Sequence, residues 1–148
     1  MLIRFVLYGI GGWCGEILFT ALTESLPRRD WRLTGTTYLW MFPIYGAIVF
    51  LYEPVHDLIR DYSWLFRALI WSLGFTVVEW ISGWLLARLT GRCPWDYVAA
   101  GKRFAINPYV RWDYFIVWAV IGLALEPVSD FLIRLTPAIE SALAIPPA

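Results

Sequence analysis

Two glutamates, Glu16 and Glu79, each stand in the middle of a long apolar run. A carboxylate at mid-membrane depth costs about 2.5–3.5 kcal/mol, so neither side chain should face lipid. Each must meet another helix, a water-filled cavity or a proton. Two such groups could hold a polar ligand inside the membrane, or divide acid and base roles between them. Tyr45, in Pro43-Ile44-Tyr45-Gly46, is a candidate hydrogen-bond donor to a glutamate, and Pro43 frees a backbone carbonyl one turn earlier. Trp95, Asp96 and Tyr97 follow Cys93-Pro94 just beyond the run that carries Glu79. They could form the mouth of a pocket that binds a polar head group. A plainer reading has Asp96 capping a turn, with Trp95 and Tyr97 as interface anchors. Glu16 and Glu79 likewise have a structural reading, as buried groups that fix helix register. Glu53 and Glu126 precede prolines near expected helix ends, where they would face water or pair with arginines.

These residues need spanning helices to position them. Of the 148 residues, 59% are hydrophobic and 16% charged, and ten are Trp. Soluble domains are less apolar and more charged than this. Mean hydropathy is +0.59. A span needs about 20 mostly apolar residues. Four stretches qualify: about 5–23, 34–52, 68–87 and 112–134. Glu16 and a cluster of glycines interrupt the first, and no small-residue cleavage site follows it, so it reads as a retained helix rather than a signal peptide. The expected fold is an all-α integral membrane protein, a four-transmembrane-helix bundle forming one polytopic domain over 1–148. Gly9, Gly11, Gly12 and Gly15 around Glu16, and Gly74, Ser82 and Gly83 around Glu79, are small residues that let helices approach. Of the connections, residues 53–67 read as a short interfacial helix, with Val55, Leu58 and Ile59 at helical spacing.

Glu53-Pro54-Val55-His56-Asp57 and Glu126-Pro127-Val128-Ser129-Asp130 match, and each is followed by Leu-Ile-Arg, with one Phe inserted in the second. Each odd-numbered helix has one central Glu. These features suggest two repeated helical hairpins, related by a pseudo-two-fold axis along the membrane normal. Such an axis would bring Glu16 and Glu79 to similar depth beside a shared interior. The connections over 24–33 and 88–111 carry eight Lys or Arg and the other exposed segments four, which favours those two connections in the cytoplasm and both termini outside.

Net charge is zero and there is no basic run, so nothing attracts nucleic acid. No G-x-x-x-x-G-K-[ST] loop is present for ATP hydrolysis, and no G-x-S-x-G elbow. His56 is the one histidine, so no bis-histidine haem or histidine-rich metal site is expected, and no cofactor. Cys14 and Cys93 do not make a disulfide framework.

Gly12, Glu16, Phe19, Thr20, Trp40, Ile44-Tyr45-Gly46, Glu79, Gly83, Cys93-Pro94-Trp95-Asp96-Tyr97, Tyr114, Trp118 and Glu126 together resemble one family. It is the transmembrane protein 229 family with its bacterial relatives, the "putative type IV ABC-transporter membrane proteins". The likeness covers about residues 6 to 130, and Pro-Trp-Asp-Tyr after a helix with a central Glu is its most specific piece. The resemblance implies a multi-pass membrane protein, in the inner membrane if the source is bacterial.

Three functions fit these residues. The first is a non-enzymatic protein with a polar intramembrane pocket that binds or helps move a small molecule or lipid. Its partners would be the bilayer and a separate ATPase or a second copy of the chain. Glu16 and Glu79 would line the pocket, Tyr45 would support them, and Trp95, Asp96 and Tyr97 would form the rim. The second is a membrane-embedded enzyme that uses the paired glutamates on a lipid. The third is a scaffold acting through helix contacts.

Overall fold

The computed structural model describes residues 1–144; the last four residues of the domain expected over 1–148 lie outside that range. The described residues form five α-helices: α1 Leu2–Thr20, α2 Met41–Gly46, α3 Ile48–Ile59, α4 Trp64–Thr90 and α5 Tyr114–Ala144. A wider π-helical turn, Ala21–Ser25, prolongs α1. Among the described residues the one β feature is an isolated antiparallel bridge between Ala105 and Arg111. The all-helical class is the one expected. Backbone groups in lipid must be satisfied within the segment itself, and a helix does this.

Three of the described helical stretches are long and apolar enough to cross a membrane: Leu2–Ser25, Trp64–Thr90 and Tyr114–Ala144. They correspond to the expected first, third and fourth spans and are longer at one or both ends. At the start of α4, the Ser63 hydroxyl accepts a hydrogen bond from the Phe66 N–H. At its end, Gly91 (φ 87°) takes the left-handed conformation that closes helices, and its N–H returns to the Ala87 carbonyl.

The second expected span, 34–52, is not one unbroken helix. Residues 34–40 lack helical structure, because their polar groups bind α1 instead. Thr36 N–H donates to Thr20 Oγ1 at 2.8 Å, and Thr20 Oγ1 donates to the Thr36 carbonyl at 3.0 Å. Helical structure starts at Met41, pauses at Ala47 (φ −64°, ψ −10°) and resumes through Ile59. The interfacial helix expected over 53–67 is therefore absent: Val55, Leu58 and Ile59 belong to α3, and only residues 60–63 separate α3 from α4. Glu53 and Glu126 lie within helices, not at their ends.

The chain divides into two compact units. One comprises Met1–Asp57 and the segment from Asp130 onward; the other is Leu58–Ser129. In the first, aromatic side chains pack α1 against α2, with Phe42 edge-on to Phe5 at 5.9 Å and beside Trp13 at 5.0 Å. In the second, Phe75 of α4 lies 5.6 Å from Trp118 of α5. Large apolar side chains along the outer helix faces, such as Leu18, Leu22, Leu73 and Ile116, remain exposed, as lipid-facing residues do.

Candidate functional site

In the first unit the close approach of α1 and α2 sets the geometry. A Cβ at Gly9 would stand 2.6 Å from the Phe42 ring, and one at Gly12 would collide with the root of the Tyr45 side chain. Gly11 and Gly15 face open space. Only half of the glycine cluster around Glu16 therefore serves this contact. The approach carries Tyr45 to Glu16: its hydroxyl donates to Glu16 Oε2 at 3.0 Å, and Thr37 Oγ1 donates to the same oxygen at 2.6 Å. Sequence reasoning missed Thr37. Its placement depends on the non-helical path of residues 34–40, which hydropathy does not reveal.

In the second unit Glu79 is held from two sides. Tyr97 donates through its hydroxyl to Oε1 at 2.7 Å, and Trp118 donates through its indole N–H to Oε2 at 3.0 Å. Tyr97 comes from the segment between α4 and α5, folded as an ordered hairpin. Its N–H donates to the Pro108 carbonyl at 3.0 Å, and Asn107 Oδ1 accepts from the N–H groups of Tyr109 and Val110. Trp95 ties the hairpin down, its indole N–H donating to the Tyr109 carbonyl at 3.1 Å. Asp96 is engaged in the turn, where Oδ1 accepts from the N–H groups of Val98 and Ala99. Burial, and after it the adjacent Glu79, push the Tyr97 phenol well above its usual range. It is therefore a proton-bearing donor throughout neutral pH.

Each unit holds a second carboxylate, more deeply buried than the first. Glu53 is 7% exposed and Glu126 8%. Glu53 Oε1 accepts from Arg4 Nε at 2.9 Å and from the Tyr8 hydroxyl at 3.1 Å. Glu126 Oε1 accepts from the Trp71 indole N–H at 2.9 Å and lies 3.4 Å from Arg67 Nε. Of the two orientations left open by sequence, pairing with arginine is the observed one. Sequence reasoning missed the partners Arg4, Tyr8, Arg67 and Trp71. A spacing signal was available: Arg4, Tyr8 and Glu16 stand four and then eight residues apart, as do Arg67, Trp71 and Glu79. Tyr45 precedes Glu53 by eight residues, and Trp118 precedes Glu126 by eight.

Of the expected site residues, Glu16 and Tyr45 meet in the first unit. Glu79 and Tyr97 meet in the second, with Trp95 and Asp96 shaping the hairpin that delivers Tyr97. The partners of each glutamate come from its own unit. Elsewhere in the first unit, His56 Nε2 lies 3.4 Å from Asp130 Oδ1. An open groove of about 310 Å³ runs between the start of α1 and the end of α5, lined by Leu2, Ile3, Val6, Leu7, Ile139 and Leu143. It is apolar and holds none of the candidate site residues. Cys14 and Cys93 are both free thiols.

No solved structure matches the chain. The model of the family "Putative ABC-transporter type IV" matches residues 3–144, nearly the whole length, and the protein belongs to that family.

Proposed function

We propose that this protein is the membrane component of a transport system, with a polar binding station in each of two repeated hairpins. The bound species is a small molecule or a lipid head group. Three apolar helices and the family membership are consistent with a multi-pass membrane protein. Helices α2 and α3, joined at Ala47, serve as the fourth span: together they rise about 28 Å, close to a hydrocarbon core of about 30 Å. The chain has no phosphate-binding loop, so a separate ATPase would supply the energy. The Pro-Trp-Asp-Tyr run is a point of resemblance to the transmembrane protein 229 family.

The observation that carries this reading is the same arrangement of donors around the carboxylates of both units. Tyr45 serves Glu16 as Trp118 serves Glu79, and Arg4 with Tyr8 serves Glu53 as Arg67 with Trp71 serves Glu126. Small and aromatic contacts follow the same register. Gly9 abuts Phe42, and Ser72 Oγ donates to the Phe115 carbonyl; Thr20 bonds Thr36, and Gly83 packs on Tyr109. Duplication of one hairpin explains these equivalences. In each hairpin the central Glu lies twelve residues beyond the Arg, about 18 Å along the helix. Polar groups thus occur at two depths, as a path for a polar group through apolar surroundings requires.

A second reading is favoured by how fully Glu79 is satisfied, since both of its oxygens already accept a bond. Such a carboxylate could serve only to pin helix register. Glu16→Gln and Glu79→Gln separate the two. The measurement is native mass spectrometry of species that co-purify with the protein, alongside thermal unfolding. Loss of a bound species at unchanged stability supports binding. Retention of every bound species with lowered stability supports the pin.

A further inference from the structure

We propose that the hairpin joining α4 to α5 is a binding surface for the head groups of anionic phospholipids. The inference rests on the membrane-spanning character of α4 and α5 and is independent of any ligand at the glutamates. Helix α4 ends at Thr90 and α5 begins at Tyr114, so two consecutive spans place this segment at one face of the membrane. It is folded, not loose: Ile106 N–H donates to the Val110 carbonyl at 3.0 Å, and Trp112 N–H to the Phe104 carbonyl at 2.9 Å.

The charges in this segment are unbalanced in a specific way. Its acids are engaged internally, Asp96 by the turn N–H groups of Val98 and Ala99, and Asp113 by Arg111 at 2.5 Å. Among the described residues no carboxylate pairs with Arg88, Arg92 or Arg103. All three are exposed. Two of them lie over aromatic rings, Arg88 over Trp84 and Arg103 over Phe104, each at 5.4 Å. Large apolar side chains of the same segment are also exposed, Ile106 at 62% and Trp112 at 67%.

A watery surface would leave those apolar groups at a cost, and a hydrocarbon surface would do the same to the arginines. The head-group layer satisfies both: apolar and aromatic groups reach the acyl boundary while guanidinium groups meet phosphate. Guanidinium pairs with phosphate through parallel hydrogen bonds. Two uncompensated arginines on this rigid hairpin, with a third in the last turn of α4, therefore select anionic over zwitterionic lipid.

The test uses the full chain in vesicles that mix phosphatidylglycerol with phosphatidylcholine. Spin-labelled lipids report the ratio of the two at the protein boundary. Enrichment of phosphatidylglycerol is expected, falling as salt rises and falling about fivefold for each arginine removed in Arg88→Gln, Arg92→Gln and Arg103→Gln. The three Arg→Lys variants should keep most of it. Enrichment that ignores salt in the native protein would overturn the proposal, whatever the folding of the variants. So would enrichment unchanged in the Gln variants. Displacement of the lipid by millimolar inorganic phosphate would also overturn it, because the site would then be one for a free anion.

Discussion

The Trp71 indole N–H donates to Glu126 Oε1 at 2.9 Å, inside a helix pair where Glu126 is 8% exposed. In the first unit Tyr8 fills this place opposite Glu53. The two aromatics share little chemistry beyond one polar hydrogen on a flat apolar body, and that hydrogen is what the buried carboxylate needs. Arg67 and Arg4 supply the opposite charge. Breaking a buried pair from one side strands a charge and costs about 3–5 kcal/mol, whereas removing both partners costs much less. Arg4→Met and Arg67→Met should each be strongly destabilising. Arg4→Met with Glu53→Gln, and Arg67→Met with Glu126→Gln, should recover much of the loss. Equilibrium unfolding in mixed micelles measures both cycles, and similar coupling energies in the two units are expected.

Glycine substitutions should separate by sign. Added Cβ atoms at Gly12 and Gly122 meet the roots of Tyr45 and Trp71, which cannot swing away. Overpacking of this kind costs about 1–3 kcal/mol. Gly11, Gly15 and Gly74 face open space. Replacing a helical glycine by alanine there gains up to about 1 kcal/mol. Gly12→Ala and Gly122→Ala should therefore lower the unfolding temperature, while Gly11→Ala, Gly15→Ala and Gly74→Ala leave it unchanged or raise it.

Tyr97→Phe removes the hydroxyl that reaches Glu79 from the α4–α5 hairpin. Leaving a buried acceptor without that donor costs about 1–3 kcal/mol. Hydrogen exchange should quicken in residues 95–112 and stay unchanged in α1.

The Tyr97 phenol also gives an alkaline signature. Its folded pKa is raised by burial and by Glu79. Its contribution to stability is therefore fully present below the unfolded value of about 10 and is lost as pH rises beyond it. Stability of the native protein should fall above about pH 10 more steeply than that of Tyr97→Phe. Equal slopes for the two proteins would remove Tyr97 as the cause.

The orientation of Glu16 and the donor role of Tyr45 were legible in the sequence because a carboxylate in a span must find a polar partner. The three long helices were legible for a related reason, since hydrocarbon thickness sets their length. Glu53 and Glu126 were harder. A proline after each glutamate suggested a helix end, yet helices in lipid tolerate proline where neighbours satisfy the freed carbonyl, and both prolines lie inside helices. Residues 34–40 misled in the opposite way. They are uncharged, but Thr34, Thr36 and Thr37 use their polar groups on Ser25, Thr20 and Glu16 instead of forming a helix. Tyr97 was singled out by its motif, but its reach back to Glu79 depends on the folded hairpin, which no local pattern encodes.

Cysteine accessibility tests most directly whether Glu16 and Glu79 stand in polar, water-reachable stations. In a Cys14→Ser, Cys93→Ser background, Glu16→Cys and Glu79→Cys would be exposed to a small charged thiol reagent in membranes, with Ile17→Cys and Val77→Cys as lipid-facing controls. Reaction at 16 and 79, with little at 17 and 77, is the expected result. Silence at both glutamate positions, or reaction no faster than at the controls, would contradict a binding station at either carboxylate.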